Sequence, residues 1–203
     1  MLRLLVALVA ATTLAATAAA APPPDENRLP TRRGPSEASR REPDYTQAAA
    51  RLTHGRTTDV YCWSAFDWQR LTRSGYVDIW GFVRRDRPRR INLASHTCAN
   101  LDRMHYSGGA FPFDPDPLMA LAVNALAHEA VHTEGVYDEA VAQCYAMQRT
   151  TQLAVLLGKS RSFGRELARL VWVHYGDFPR RYRSSACHDG GRLDLRPRSH
   201  VWP

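Results

Sequence analysis

The stretch DPLMALAVNALAHEAVHTEGVYDEA, residues 116–140, predicts two consecutive helices joined by a short turn. Asp116 suits the N-cap of the first helix, and Asp138 suits the N-cap of the second. The body of the first helix runs over 118–132, and its part from Leu118 to Ala127 is apolar on nearly all sides, which is typical of a buried helix. Gly135 fits the position after a helix end, where a left-handed backbone is common. We therefore expect the first helix to be buried on most sides.

The rest of the chain predicts an α+β domain that is mainly helical. The segment 75–85 alternates and is rich in β-branched and aromatic residues, and 90–95 returns as a second strand after a basic turn. The segment 57–63 fits either a strand or the start of a helix. This small antiparallel β-hairpin or sheet is expected to pack beside the helix over 118–132.

Turn and capping signals predict the remaining elements. These are a short helix over 45–54, a Gly/Pro loop over 107–117, the second central helix over 139–157, and a last helix from 160 or 162 to 175. Gly158 ends the second central helix. The tail after residue 175 is expected to be irregular.

The first 44 residues are expected to lie outside the folded domain. Residues 1–21 have a basic start, an apolar run and small residues before Pro22, which is the layout of a cleaved signal peptide. An uncleaved membrane anchor is the alternative, but the apolar run is short for a span. Residues 22–44 are rich in Pro, Arg, Glu and Ser and predict a disordered leader. We therefore expect a secreted or extracytoplasmic protein with one domain over 45–203.

Four cysteines, an even number, imply disulfides in an exported chain. None of them forms a C-x-x-C pair, so a cysteine zinc site is not expected. Of the three possible pairings, we favour Cys62–Cys98 and Cys144–Cys187. The first would join two neighbouring extended segments. The second would hold the C-terminal tail against the helix that follows the motif.

The chain of 203 residues has a formal net charge of +7, and arginine supplies nearly all of its basic groups. The positive charges concentrate in the leader, at 84–90 and at 179–183. These Arg-rich segments either form solvated surface or attach the protein to an anionic cell-surface polymer. No stacking aromatic residues interleave the cluster at 84–90, so no nucleic-acid partner is expected. We expect a monomer.

His128, Glu129 and His132 lie at the end of the apolar helix, where polar groups cost free energy unless a partner satisfies them. Side chains four residues apart share one helical face, so both imidazoles can reach one ion. Glu129 points about 100° away from His128 around the helix axis, near that ion. The pattern predicts a metal site in which Glu129 takes a proton from water. The alternative is a pair of exposed histidines that complement the helix dipole.

The sequence HEAVH at 128–132 matches HExxH, and on these residues the chain resembles the zincin metallopeptidases. The resemblance covers mainly 117–147. The order of hairpin, motif helix, second helix and cysteine-bearing tail is similar to that of small secreted bacterial proteins of zincin type. The resemblance implies a hydrolase that cleaves peptide or protein substrates, with one Zn2+ per chain and Glu129 as the general base.

The third zinc ligand has two candidates. The pattern HExxHxxGxxD, from His128 to Asp138, resembles the metzincin pattern with Asp in place of the third His. The Met-turn of that family is missing, because Met147 lies within the expected second helix. Glu139 resembles the ligand that gluzincins take from a following helix, although its separation from His132 is shorter. If Asp138 caps that helix, Glu139 is the carboxylate left for the metal, and we favour it.

Further residues are candidates for supporting roles. The candidates for an oxyanion stabiliser are His174, Tyr175, Tyr137 and His188. The strand over 79–84 is expected to offer an edge for an extended peptide. Two alternatives to hydrolysis stay open. One is an inactive zincin-like binding domain on an anionic cell surface, and the other is a structural zinc site closed by a fourth ligand such as His174 or His188.

Overall fold

The computed structural model describes residues 39–72, 79–106, 114–199 and 201–203. Its α-helices are α1 (Pro43–Leu52), α2 (Ala65–Thr72), α3 (Ser95–Tyr106), α4 (Pro117–Thr133), α5 (Glu139–Leu156) and α6 (Arg161–Val173). Its strands are β1 (Ser39–Arg41), β2 (Asp59–Trp63), β3 (Gly81–Arg84) and β4 (Arg87–Leu93). Two short 3-10 turns cover Tyr175–Asp177 and Arg180–Tyr182. This content confirms a mainly helical α+β fold.

The four strands form one sheet in the order β1-β2-β4-β3. β3 and β4 make the expected hairpin, in which Phe82 lies opposite Asn92. β1 pairs antiparallel with β2, but β2 and β4 run parallel. The sheet is therefore mixed rather than purely antiparallel as expected. The reason is that α2 and β3 lie between β2 and β4 in the chain, and this crossover allows parallel pairing.

α4 lies at the centre of the domain, in contact with α1, α3, α5, α6 and the strands β3 and β4. The carboxylate of Asp116 begins it by accepting a hydrogen bond from the Met119 N–H at 2.9 Å. Val123 and Leu126 are fully buried, and burial of each such side chain contributes about 1.5–3 kcal/mol. Packing on all sides therefore fixes the position of the polar side chains at its C-terminal end.

The turn between α4 and α5 is short because its backbone reverses at a glycine. Gly135 has a φ of +92°, in the left-handed region that favours glycine. Asp138 then begins α5, and its carboxylate accepts a hydrogen bond from the Val141 N–H at 2.9 Å. Both features match the expected turn and N-cap. This short turn places Glu139, the first residue of α5, next to the end of α4.

Several element boundaries differ from those expected. A strand, β1, lies before the expected start of the domain near Tyr45. It pairs with β2 through its backbone, and its polar sequence SRR carries no strand pattern. The second hairpin strand ends at Leu93, and α3 begins two residues later, at Ser95. Neither α2 nor α3 is predicted from the sequence. The ambiguous segment 57–63 contains a strand, β2.

Some expected segments fall on residues that the structure does not describe. Residues 1–38 contain the predicted signal peptide and most of the predicted leader. Residues 73–78 and 107–113 contain the start of the predicted strand over 75–85 and most of the predicted Gly/Pro loop. In the described part of 75–85, the strand covers Gly81–Arg84.

Both expected disulfides, Cys62–Cys98 and Cys144–Cys187, are present. The first joins β2 to α3 rather than two extended segments, since Cys98 lies in a helix. The second joins α5 to the C-terminal tail, as expected. Two disulfides fit an extracytoplasmic protein. No helix among the described residues combines the length and the apolar character needed to cross a bilayer.

Candidate metal centre

The end of α4 and the start of α5 bring three potential metal ligands together. The Oε2 atom of Glu139 lies 2.9 Å from Nε2 of His128 and 3.4 Å from Nε2 of His132. The ligand atoms of all three side chains lie within 4.8 Å of one another. In a tetrahedral zinc site with bonds of about 2.0–2.1 Å, ligand atoms are about 3.3 Å apart. The donor types and their spacing therefore fit a metal ion.

Among the residues that the structure describes, this ligand group has three members, and a closed structural site would need a fourth. His174 and His188 were the candidates for that role, but neither belongs to the group. Nδ1 of His174 lies 3.2 Å from a carboxylate oxygen of Asp177, and Nδ1 of His188 lies 2.8 Å from the carbonyl oxygen of Asp189. Three protein ligands leave one position on a zinc ion for water or substrate.

Asp138, the other candidate for third ligand, is used as a helix cap. Its carboxylate accepts the hydrogen bond from the Val141 N–H, and it is not part of the ligand group. Glu139, one residue later, turns its carboxylate to the two imidazoles instead. The two neighbouring acids therefore have separate roles at the start of α5.

A backbone carbonyl group orients the imidazole of His132, and a buried amide lies beside that of His128. Nδ1 of His132 donates a hydrogen bond to the carbonyl oxygen of Val136 at 2.6 Å, which leaves Nε2 free to face the metal position. Gln143 is the polar side chain beside His128 and lines the same cleft. Nε2 of Gln143 donates to Oδ1 of Asn124 at 2.7 Å, which fixes the amide in the interior. α5 thus supplies one ligand and one supporting side chain.

Burial and mutual contact shift the pKa values of the three groups. Burial lowers the pKa of His128 more than its hydrogen bond with Glu139 raises it. Burial also lowers the pKa of His132, but the hydrogen bond with Glu139 and the charge of Glu129 outweigh it and raise that pKa to about 9. Burial would raise the pKa of Glu139, yet the two histidines hold it well below its usual value. Glu139 is therefore ionised at neutral pH, as a metal ligand must be.

Glu129, the expected general base, is buried beside the ligand group and lines the same cleft. It packs against β3 at Gly81. A Cβ atom at position 81 would lie 2.8 Å from Cγ of Glu129, a separation that real Cβ contacts essentially never show. The strand approaches the helix this closely only because residue 81 has no side chain.

The ligand group opens into a cleft of about 640 Å³. α4 forms its floor, β3 forms one wall, and the segment 174–182 forms the other wall. Leu121 and Ala125 continue the floor away from the ligands as an apolar surface. A partly enclosed, mostly apolar cleft with polar groups gathered in one place is typical of a substrate site.

Two of the four candidate oxyanion stabilisers line this cleft. Tyr137 and His174 are among its lining residues, whereas Tyr175 and His188 are not. Tyr175 has a different role, since its hydroxyl accepts a hydrogen bond from the Ser184 N–H at 2.8 Å. That bond ties the start of the wall segment 174–182 to the chain just after its end.

Tyr182 also lines the cleft, a position that the sequence analysis does not predict. Its ring centroid lies 5.6 Å from that of His128. No local pattern marks this residue, which lies in a 3-10 turn within the tail. The one indication of its position is indirect. The disulfide between Cys144 and Cys187 ties this part of the tail to α5, the helix that carries Glu139.

Comparison with known proteins gives no family for this chain. No family model, no curated protein and no solved structure matches it. Any functional conclusion therefore depends on the residues of the motif and on the geometry of the cleft.

Proposed function

We propose that the protein is an exported, zinc-dependent metallopeptidase that hydrolyses amide bonds in peptides or proteins. The observation that carries this proposal is the meeting of His128, His132 and Glu139 at one point of an open cleft, with Glu129 buried beside them. Two imidazoles and one carboxylate are typical donors for catalytic zinc, which keeps a fourth position open. The proposal implies one zinc ion per chain.

The chain's own residues have distinct roles in this proposal. Held by His128, His132 and Glu139, zinc would supply a Lewis acid that makes water nucleophilic at neutral pH. Glu129 would take a proton from the attacking water and return it to the leaving amine. Tyr182 and His174 donate hydrogen bonds to the substrate carbonyl oxygen from the wall 174–182. Asp177 orients the His174 ring through their 3.2 Å contact.

The position of β3 favours a peptide over a small amide. β3 is an edge strand of the sheet, and its Gly81 lies against Glu129. An extended peptide that pairs with this edge would lay its backbone across the ligand group. Main-chain hydrogen bonds of this kind are available to any peptide, so they supply affinity rather than sequence preference.

The test compares wild type with Glu129→Gln in the mature chain, residues 22–203, made with both disulfides formed. Both proteins are expected to hold one zinc per chain, because Glu129 is not a member of the ligand group. Wild type is expected to cleave a complex peptide mixture. Glu129→Gln is expected to lose at least about a hundredfold in kcat/KM, the scale of general-base catalysis. Metal content is measured by mass spectrometry of the metal, and cleavage by peptide mass spectrometry.

The controls separate metal binding from catalysis. Removal of zinc by a chelator should abolish cleavage, and addition of zinc should restore it. Undiminished turnover by Glu129→Gln would contradict the role of Glu129. Stoichiometric zinc with no cleavage of any peptide would favour an inactive binding domain, and retention on anionic cell-wall polymer would then be measured.

A further inference from the structure

The two ligand imidazoles differ in what holds their second nitrogen atom. Nδ1 of His132 donates a hydrogen bond to the carbonyl oxygen of Val136 at 2.6 Å. Nδ1 of His128 is buried and, among the residues that the structure describes, has no hydrogen-bond partner. A buried N–H group that lacks an acceptor costs free energy. His128 therefore needs an acceptor whenever its Nδ1 atom carries a proton.

Metal binding places a proton on this nitrogen atom. Nε2 of His128 lies 2.9 Å from Oε2 of Glu139 and belongs to the group of potential metal ligands. A neutral imidazole has one protonated nitrogen and one nitrogen with a lone pair. Because a metal ion at this group takes the lone pair of Nε2, the proton must lie on Nδ1. The metal-loaded ring therefore presents an N–H group to the interior of the domain.

The amide of Gln143 lies beside the His128 ring. Gln143 follows Glu139 by four residues on α5, so the two side chains share one face of that helix. α5 packs against α4, which carries His128. Burial lowers the pKa of His128, and the contact with Gln143 is among the interactions that oppose this shift. An amide opposes it by offering its oxygen atom to an N–H of the ring.

Hydrogen bonds hold the Gln143 amide in a fixed orientation. Its Nε2 donates to Oδ1 of Asn124 at 2.7 Å, and Nδ2 of Asn124 donates to the Thr150 hydroxyl at 3.4 Å. That hydroxyl donates to the carbonyl oxygen of Ala146 at 3.0 Å. All three polar side chains are buried. Because every donor in this series points away from His128, the amide oxygen of Gln143 is the end left to accept a hydrogen bond from its ring.

We propose that Gln143 is the positioning residue of His128. Its amide oxygen accepts the hydrogen bond from Nδ1 when zinc is bound, and Asn124 and Thr150 hold the amide in place for this contact. Acceptors of this kind fix the tautomer and the orientation of metal-binding histidines. The neutral amide adds no negative charge, so Glu139 supplies the carboxylate of the ligand group. This role rests on the zinc site of the proposed function, but it does not depend on peptide cleavage.

The first measurement is zinc affinity, by competition with a chromophoric chelator, in the mature chain with both disulfides formed. Gln143→Met keeps the length of the side chain but removes the acceptor, and it is expected to weaken zinc binding about 10–100-fold. Gln143→Glu keeps an acceptor at the same place and is expected to bind zinc at least as tightly as wild type.

Gln148→Met is the matched control. Gln148 lies on the same helix and is buried like Gln143, with exposed fractions of 4% and 3%. Its amide donates to the carbonyl oxygen of Leu193 at 2.9 Å, in the C-terminal tail. Both Met variants therefore remove a buried amide from α5 and should destabilise the fold, but only Gln143→Met should weaken zinc binding. Chemical unfolding shows that each variant is folded and measures its loss of stability.

Nuclear magnetic resonance of ¹⁵N-labelled histidine gives a signal that a loss of stability alone does not move. In zinc-loaded wild type, the Nδ1 proton of His128 is expected at low field, in slow exchange with water, and with a nuclear Overhauser contact to the Gln143 side chain. In Gln143→Met it should move upfield and exchange faster, and Gln143→Glu should reverse both changes. Gln148→Met should leave the resonance where it is in wild type.

Each outcome bears on one proposal. Equal zinc affinity in wild type and Gln143→Met, or an equal loss in Gln143→Met and Gln148→Met, overturns the role of Gln143. So does an Nδ1 proton in wild type that lacks the contact with Gln143, and this result needs no variant to fold. Zinc-loaded wild type that shows the contact but cleaves no peptide supports the role of Gln143 while the proposed hydrolysis fails. A wild type that binds no zinc overturns both.

Discussion

The helix pair α4–α5 and the wall segment 174–182 form two sides of one cleft, but they are held in place by different means. The helix pair is fixed by local caps and by burial of its apolar residues. The wall contains two 3-10 turns, and tethers to residues outside those turns hold it. These tethers are the bond from Ser184 to Tyr175 and the disulfide between Cys187 and Cys144.

This difference separates the proposed metal-binding residues of the cleft from the proposed substrate-binding residues. The potential metal ligands belong entirely to the helix pair, whereas Tyr182 and His174 belong to the wall. Damage to the wall should therefore leave the ligand group intact. Damage to the ligand group should leave the wall in place. Two sets of variants test this separation, and a third experiment measures the proton released from the helix pair when zinc binds.

The largest effect is expected within the helix pair, at two adjacent acids. Glu139→Ala removes one of the three ligands and should lower zinc affinity by more than about a hundredfold, beyond the range seen for supporting residues. Asp138→Ala removes only the cap of α5 and should cost about 1 kcal/mol of stability, with little change in zinc affinity. Competition with a chromophoric chelator measures affinity, and urea unfolding measures stability. Equal loss of zinc in the two variants would contradict the assignment of Glu139.

An intermediate effect is expected when the disulfide that tethers the wall is removed. The double change Cys144→Ala with Cys187→Ala should lower the free energy of unfolding by about 2–5 kcal/mol. Zinc affinity should persist, because the ligands lie on packed helices. Turnover should fall, because Tyr182 loses its fixed position. Chemical unfolding, zinc titration and peptide cleavage measure the three quantities.

The other disulfide is the matched control for that tether. The two bonds span 36 and 43 residues, so their loss should destabilise the fold by similar amounts. The pair Cys62→Ala with Cys98→Ala loosens β2 from α3, away from the wall. Turnover per folded molecule should therefore survive in this control. An equal fall in turnover in both double variants would mean that the tether acts only through global stability.

The smallest expected effect is the release of a proton from the helix pair when zinc binds. Burial lowers the pKa of His132, but contacts with Glu139 and Glu129 raise it to about 9. Protein stripped of metal by chelation therefore carries a proton on His132 at pH 7, and zinc binding should release about one proton. His128 contributes none, since its pKa is lowered, and Glu139 is already ionised. Calorimetry at pH 7 in buffers of different ionisation enthalpy counts the protons.

The raised pKa of His132 also determines how the zinc affinity changes with pH. Apparent zinc affinity should rise about tenfold per pH unit towards about pH 9 and then level off. Without metal, the raised pKa of His132 stabilises the fold most fully below its usual value of 6.5, and this contribution is lost as the pH rises through about 9. Zinc binding at pH 7 with no proton release would mean that His132 is neutral in the metal-free protein.

The helix pair could be predicted from the sequence because its signals are local. Asp116, Gly135 and Asp138 each act within one helical turn, and the structure uses all three as expected. α3 had a weaker signal of the same kind. Its buried residues Cys98 and Leu101 follow a helical spacing, but few large apolar residues accompany them.

The wall and the first strand could not be predicted, because distant contacts place them. β1 is polar and pairs only through its backbone, so its side chains carry no strand pattern. Tyr182 reaches the cleft through the tethers at Tyr175 and Cys187, which lie outside its own turn. Spacing along the chain is enough to identify potential ligands on helices. It does not identify a residue whose position depends on such tethers.

The contact between Gly81 and Glu129 predicts how these two positions vary among related chains. A Cβ atom at position 81 meets Cγ of Glu129 at 2.8 Å, so a chain with a larger residue at 81 is expected to have a residue without Cγ at 129. That chain would also lack the proposed general base. The two positions should therefore covary, and a residue other than glycine at position 81 becomes a single-letter marker in genome sequences for chains that have lost the proposed hydrolysis.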